Sequence, residues 1–471
     1  MSHYDNHLKN IKQKIDDISP SFCAAKWKQV TIHLQNGHTH SCHHPNTHLI
    51  PIEEIKTNPT ALHNTTFKKM QRKMMLEGVR PSECEYCWKV EDGTNNYSDR
   101  LYKSANTWAF PFINDIASKP WDDNVDPSYV EVSFGNVCNF KCSYCAPHIS
   151  SQWMEEVERF GPYPTIDSFN NLDWIKHQKK MPIPNKDENP YVDAFWEWWP
   201  TMYTKLQHFR ITGGEPLLNK NTFKVLDYII ENPNTNLEVS INTNMNPPVE
   251  IFELFMEKVK IITSQKKLKD FHLYTSAEAY GKQAEYIRFG MDYDKWLFNL
   301  HRIYKEIPGI HCSIMSTYNL LSIHSYDKFL ADILEIKRTY GNTRQNKPAI
   351  SLDIPYLRHP EHQTVFLADE SMIPYIEPQI QYMVDNLEKI NPDGSYAKGF
   401  YVHEVDKLKR IHELMVNAIN VKDEMTDVHR MDFVKFFDEH DRRRGTNLLE
   451  TFPEMKDFYN FCKSLIENDG N

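Results

Sequence analysis

The sequence has no apolar run near 18 residues, the length that a membrane-spanning helix needs, and its polar first stretch, residues 1–16, has no apolar signal core. It also has no excess of positive charge, because 64 acidic residues stand against 54 basic ones and give a net charge of -10. No internal repeat or low-complexity tract is present. These absences argue against a membrane protein and against a broad electrostatic attraction to nucleic acid. They predict a soluble cytoplasmic protein.

The chain does have ample apolar material and an unusual grouping of cysteines. It is 471 residues long with 40% hydrophobic residues, which is enough for a large core and for more than one structural unit. Seven of its nine cysteines lie in closely spaced groups. Such grouping in a reducing compartment indicates metal ligation, since a disulfide framework belongs to small secreted chains.

The densest group is a C-x3-C-x2-C run formed by Cys138, Cys142 and Cys145, directly after the strand-like segment Val130–Phe134. A tetrahedral zinc site takes four protein ligands, and cysteine-bound Fe-S cubanes normally take four thiolates. Three thiolates therefore leave one position open. Either a partner comes from elsewhere in the chain, or one iron is left to a non-protein ligand.

A second motif follows the strand-like segment Gln207–Ile211 and consists of Gly213, Gly214 and Glu215. Glycine lets the backbone approach a ligand closely, and a carboxylate offers an acceptor to a cationic ammonium group. Taken alone, these residues also fit an ordinary turn.

Together, in this order and each after a strand, the two motifs resemble those of the radical S-adenosylmethionine (radical SAM) enzymes. The resemblance implies a 4Fe-4S cluster on Cys138, Cys142 and Cys145, whose fourth iron is chelated by the methionine moiety of S-adenosylmethionine (SAM). It further implies that the GGE residues contact the methionyl amino group, and that Tyr144 packs near the adenine. The remaining alternative is a zinc ribbon with an unrelated turn.

Six strand-like segments, each separated from the next by a helix pattern, predict a parallel α/β arrangement with right-handed crossovers. They are Val130–Phe134, Gln207–Ile211, Leu237–Ile241, Phe271–Thr275, His311–Met315 and Ile350–Ile354. Six such units match the open (β/α)6 partial barrel of the radical SAM family. We expect three regions: an N-terminal metal-binding segment (1–125), the barrel (126–360) and a C-terminal helical extension (361–471).

Polar residues follow three of these strands, where ligands of α/β barrels collect. The resemblance implies cofactor contacts for all of them: ribose for Ser276 or Glu278, the methionyl carboxylate for Arg288, and adenine near Ser316 and Asn319. Asn242 offers a further polar contact after the third strand. The candidates are Asn242, Ser276, Glu278, Arg288, Ser316 and Asn319. For each of them a cap or turn role is the alternative.

The N-terminal segment carries four more cysteines, namely Cys23, Cys42, Cys84 and Cys87. A strand pattern followed by a turn at residues 35–37 predicts a hairpin that brings the first two together. The last two form a C-x2-C knuckle. Four thiolates complete a closed site for either an Fe-S cluster or zinc.

The spacing of Cys23, Gly37 and Cys42 also matches the C-x(9–15)-G-x4-C pattern that opens the twitch and SPASM extensions of radical SAM enzymes. The resemblance implies an auxiliary 4Fe-4S cluster of twitch type, here placed before the barrel where the family usually has it after. A structural zinc remains the alternative. Five nearby histidines are further donors: His38, His40, His43, His44 and His48.

These interpretations give a functional hypothesis. The chain is expected to cleave SAM reductively and to abstract hydrogen from a peptide or protein side chain, with electrons from a reductant such as flavodoxin or ferredoxin and a second cluster for electron transfer. A small-molecule substrate is the alternative within the family. A non-catalytic zinc or Fe-S binding protein is the alternative from another class.

Overall fold

In a computed structural model, which describes residues 3–341, 350–390, 396–421 and 423–469, the chain forms two compact units. The first comprises residues 1–136, 179–241 and 264–270. The second comprises residues 137–178, 242–263 and 271–471. Each unit is thus assembled from segments that are distant in sequence.

The first unit contains a mixed sheet with a parallel centre. Its strands are β1 (Gln29–His33), β2 (His38–His40), β3 (His48–Leu49), β4 (Tyr129–Ser133), β5 (His208–Thr212) and β6 (Asn234–Asn242). The order is β6-β5-β4-β1-β2-β3, and the pairs from β6 to β1 are parallel whereas β1-β2 and β2-β3 are antiparallel. The N-terminal hairpin therefore extends the parallel sheet, with Gln29 opposite Tyr129.

The turn of this hairpin needs its glycine. Gly37 has a φ of +69°, and a Cβ placed on it would lie 2.1 Å from the ring of Tyr191. An L-residue would be strained there and would also collide with a buried ring. The predicted hairpin is present, and its tip is fixed by tertiary packing.

Helices cover the sheet and bury the apolar residues of the first unit. They are His3–Ile18, Ala25–Lys28, Ile52–Thr57, Thr66–Leu76, Glu85–Gly93, Asp99–Ser104, Ile113–Ser118, Pro190–Tyr203 and Lys220–Glu231. A core of Leu8, Ile15, Phe22 and Trp27 joins the first helix to the segment beside Cys23. Helix Pro190–Tyr203 buries five of its six aromatic side chains in the same unit, and the sixth, Trp196, is half-buried.

The second unit contains three parallel strands in the order β9-β8-β7. They are β7 (Leu268–Ser276, whose first residues belong to the first unit), β8 (His311–Met315) and β9 (Ile350–Asp353). Its helices are Ser151–Phe160, Leu172–His177, Val249–Ser264, Gly281–Ile287, Tyr293–Glu306, Tyr326–Tyr340, Ile373–Asp385, Val402–Asn420, Thr426–Arg444, Leu448–Thr451 and Lys456–Asp469. The α/β class with largely parallel strands agrees with the sequence prediction.

A buried ion pair attaches the C-terminal helices to these strands. Lys337 and Glu404 are 2% and 0% exposed, and Nζ lies 2.9 Å from Oε1. The same Oε1 accepts a hydrogen bond from the backbone N–H of Leu352 in β9. Because both charges are desolvated, removing either partner would leave an unpaired buried ion. Among the described helices, none has the length and apolar character to cross a bilayer.

Candidate metal centres

The loop of Cys138, Cys142 and Cys145 begins the second unit and is held mainly through its backbone. The indole N–H of Trp153 donates to the carbonyl of Cys142 at 2.8 Å, and Arg444 Nη1 donates to the carbonyl of Lys141 at 2.6 Å. None of the three cysteines forms a disulfide, and all three are half-buried. These two carbonyls are thus satisfied by side chains of the protein, and the loop carries three thiols of a type that can ligate a metal.

Arg288 and its partners lie directly against this loop. The short strand Arg288–Phe289 pairs antiparallel with Lys141–Cys142. The Arg288 guanidinium donates to both carboxylate oxygens of Glu278, and its Nη1 lies 3.8 Å from Cys142 Sγ. Burial opposes its charge, yet the Glu278 carboxylate holds the pKa of Arg288 well above its usual range. Tyr144 joins the group, since its hydroxyl donates to Glu278 at 3.0 Å. Tyr144, Glu278 and Arg288, all predicted as site residues, therefore form one hydrogen-bonded group beside Cys142.

The other predicted site residues of this unit differ in their burial and in their hydrogen bonds. Ser316 is buried and accepts a hydrogen bond from the Tyr326 hydroxyl at 2.9 Å. Asn319 is also buried, and its side chain caps the short helix Leu320–Ser322. Ser276 is half-buried at the end of β7, and Asn242 is half-buried at the end of β6. Cofactor contacts of these four residues stay predictions.

Two sets of contacts to the cysteine loop have no counterpart in the sequence motifs. Asn244 Nδ2 donates to Asn139 Oδ1 at 2.8 Å. Ser143 Oγ donates to Gln363 Oε1 at 2.6 Å, and Gln363 Nε2 donates back to the Ser143 carbonyl at 3.1 Å. Position in the sequence was the one indication of these contacts. Asn244 follows the third predicted barrel strand, and Gln363 follows the sixth.

The GGE residues lie in the first unit, where β5 ends beside the end of β4. Gly213 has a φ of +127°, and a Cβ on it would lie 2.8 Å from both the Gly135 carbonyl oxygen and Ser133 Oγ. The Gly214 N–H donates to the same carbonyl at 3.2 Å. Glu215 is buried and its Oε1 accepts the N–H of Leu217 at 3.0 Å. The motif is thus a constrained loop and not a freely variable turn.

The four N-terminal cysteines converge on one pocket of the first unit. The pocket lining includes Cys23, Cys42, Cys84 and Cys87, together with Lys26, His44, Asp99, Arg100 and Lys103. Burial raises the pKa of the Cys84 and Cys87 thiols to about 12. A bound metal cation would stabilise the thiolate form against this effect, and four thiols on one pocket are a donor set that fits a metal centre.

The same pocket also carries donors other than cysteine. Among the described residues, His43, His44 and Asp99 form a group of three possible metal donors whose ligand atoms lie within 4.8 Å of one another. A second such group, Asp167, His359 and Glu361, lies in the second unit. Four thiolates suit either an Fe-S cluster or zinc, so both kinds of metal centre stay predictions.

Basic side chains are buried beside the N-terminal pocket. Lys26 is 2% exposed and forms an ion pair with Glu83. Burial lowers the pKa of Lys26, but the charges of Cys84 and Glu83 outweigh it and raise that pKa. Lys68 and Arg72 are also fully buried, and burial lowers the pKa of both, that of Lys68 well below its ordinary value. An anionic centre would favour the charged forms of these side chains.

Comparison with known proteins gives one distant similarity. Over 165 residues, which are 34% of this chain, the sequence is 26% identical to a GTP 3',8-cyclase of Psychromonas ingrahamii. The match covers 40% of the length of that relative. No protein-family model matches the chain. The similarity supports the radical SAM superfamily.

Proposed function

We propose that this protein is a radical SAM enzyme with its catalytic 4Fe-4S cluster on Cys138, Cys142 and Cys145. The observation that carries the proposal is a loop of three cysteines outside any disulfide, whose backbone carbonyls accept hydrogen bonds from Trp153 and Arg444. Such a loop supplies three ligands and leaves one iron for the cofactor. The similarity to a GTP 3',8-cyclase, a radical SAM enzyme, supports it.

The proposed architecture is a (β/α)6 partial barrel with a twitch-like N-terminal segment and a C-terminal helical extension. All six expected strands are present as β4 to β9, within three residues of the predicted bounds. In each unit the barrel strands that pair do so in parallel. The boundaries at residues 125 and 360 stay predictions.

The residues of this chain would position the cofactor. Gly213 and Gly214 supply backbone without side chains, and Glu215 is the proposed acceptor for the methionyl ammonium. Tyr144 is proposed to pack beside the adenine. When bound, the cluster supplies the electron that cleaves SAM to methionine and a 5'-deoxyadenosyl radical, which takes a hydrogen atom from the substrate.

The N-terminal pocket is proposed to hold a second 4Fe-4S cluster on Cys23, Cys42, Cys84 and Cys87. The convergence of all four cysteines on one pocket supports a closed metal centre. Four protein ligands leave no iron open, so its proposed role is electron transfer and not substrate binding. A low-potential reductant such as flavodoxin or ferredoxin is the expected partner.

Two substrate classes are proposed. A peptide or protein side chain follows from the twitch-like pattern of Cys23, Gly37 and Cys42. A small molecule is the second candidate, because the relative found by sequence is named for a reaction of GTP.

Anaerobic assay of 5'-deoxyadenosine formation from SAM with dithionite tests the proposal. The parent should form the nucleoside, and the Cys138→Ala/Cys142→Ala/Cys145→Ala variant should form none. Cys462→Ala is the matched control, since that thiol is buried and belongs to neither group. Equal formation by the triple variant would refute the proposal.

A further inference from the structure

Hydrogen-bond acceptors along one edge of the guanidinium group hold the Arg288 side chain in one orientation. Its Nε lies 3.0 and 2.9 Å from the two oxygens of Glu278, and its Nη2 lies 2.7 Å from Glu278 Oε2. The same Nη2 donates to the Tyr144 hydroxyl at 2.6 Å. Arg288 and Glu278 are 9% and 1% exposed at their side chains, so solvent does not compete for these bonds.

The outer amino group of the same guanidinium is directed at a sulfur. Nη1 lies 3.8 Å from Cys142 Sγ, within reach of an N–H···S hydrogen bond. The backbone supports this approach, because Arg288 and Cys142 are opposite each other in the short antiparallel pair. The edge that would grip a carboxylate with two donors is already occupied by Glu278.

We propose that Arg288 is a positioning residue whose N–H bond to the Cys142 sulfur raises the reduction potential of the cluster on the three-cysteine loop. This inference rests on the proposed function. A hydrogen bond to a ligating thiolate withdraws electron density from it and stabilises the more negative, reduced cluster. Glu278 and Tyr144 keep the guanidinium in place, and the contact exists without SAM. The role therefore differs from a grip on the methionyl carboxylate.

The test is an EPR-monitored redox titration of SAM-free protein. The signal followed is the one that disappears in the Cys138→Ala/Cys142→Ala/Cys145→Ala variant. Arg288→Lys and Arg288→Met should each lower the ratio of reduced to oxidised cluster about tenfold at a fixed potential, which is about 59 mV for one electron. Both should keep the iron content of the parent.

Arg430→Lys is the matched control. Arg430 is also buried and lies 3.4 Å from the Asp427 carboxylate, but it donates to the Leu367 carbonyl and not to the cysteine loop. Its variant should stay within twofold of the parent ratio. A parent-like ratio in iron-loaded Arg288→Lys and Arg288→Met would overturn the inference, as would weaker SAM binding with no change of potential.

A measurement on the parent covers the case in which the Arg288 variants do not load iron. Protein labelled with 15N-arginine should show a 15N hyperfine coupling to the reduced cluster, and this coupling should persist in Arg430→Lys. Its absence would overturn the inference. If the parent loop binds no iron at all, the proposed function fails first, and the two failures are thus distinguished by the iron count.

Discussion

The two cysteine groups of this protein are built in opposite ways. The loop thiols Cys138, Cys142 and Cys145 come from one stretch of eight residues. The N-terminal thiols come from three separated segments, before β1, after β2 and at the start of helix Glu85–Gly93. A three-ligand loop can present an open iron, whereas a four-ligand site closed by the fold can only store or pass electrons.

Their surrounding charges differ as well. The loop faces Arg288, whose charge is matched by Glu278. The N-terminal pocket has Lys26 paired with Glu83. Lys68 and Arg72 are buried in the same unit, and burial lowers the pKa of both, that of Lys68 well below its ordinary value. Burial therefore disfavours the charged forms of these two side chains, whereas Glu278 maintains the charge of Arg288.

The largest expected effect comes from removing the loop thiols. The Cys138→Ala/Cys142→Ala/Cys145→Ala variant should lose about four iron atoms per chain and all formation of 5'-deoxyadenosine, because no cluster remains to deliver the electron. Iron analysis and chromatography of the nucleoside measure both. If the variant still cleaved SAM, the three-cysteine loop would not hold the catalytic cluster. The proposed difference between the two cysteine groups would then be wrong.

The reciprocal change tests the other site. Cys84→Ala/Cys87→Ala should also lose about four iron atoms per chain but should keep cleavage of SAM by dithionite. Because metal binding at a site assembled by the fold contributes to folding, its melting temperature should fall below that of the parent. Iron content that stays at the parental level would show that these cysteines hold no cluster.

A smaller effect is expected at the GGE loop. Gly213→Ala should lower the free energy of unfolding by about 3 kcal/mol, because the new Cβ meets the Gly135 carbonyl at a positive φ. Gly445→Ala is the control: its φ is +65° but open space surrounds it, so about 1 kcal/mol is expected. Urea unfolding followed by circular dichroism measures both. Equal losses would contradict the steric role of Gly213.

The smallest effect concerns Glu215. Glu215→Gln should weaken SAM binding about tenfold, or about 1.4 kcal/mol, by removing a charged acceptor for the ammonium group. Iron content should not change, since Glu215 is not a cluster ligand. Equilibrium binding of SAM to anaerobic protein measures this, and an unchanged Kd would refute the assignment.

Local patterns were sufficient to predict much of the fold. The six barrel strands follow from period and turn residues, and the structure has them at nearly the same bounds. The parallel pairing of β1 with β4 joins residues a hundred positions apart, and no local signal encodes it. The division into two units, each assembled from separate stretches of the chain, likewise depends on long-range contacts that no local pattern encodes.

The candidate site residues were proposed from local motifs, and their roles stay predictions. The cysteines and the GGE residues were proposed from spacing because metal and backbone chemistry constrain residue type and separation. The bond between Gln363 and Ser143 spans 220 residues, and the contact of Arg288 with Cys142 spans 146. Such contacts depend on tertiary packing, so local sequence patterns do not predict them.

Metal content after anaerobic reconstitution tests the central claim most directly. Iron, acid-labile sulfide and zinc are counted in the parent and in the Cys138→Ala/Cys142→Ala/Cys145→Ala variant. The account predicts about eight iron and eight sulfide per parent chain, about four of each in the variant, and no zinc. Iron in the variant equal to that of the parent would contradict a cluster on the three-cysteine loop, and one zinc per chain in both would contradict the second cluster.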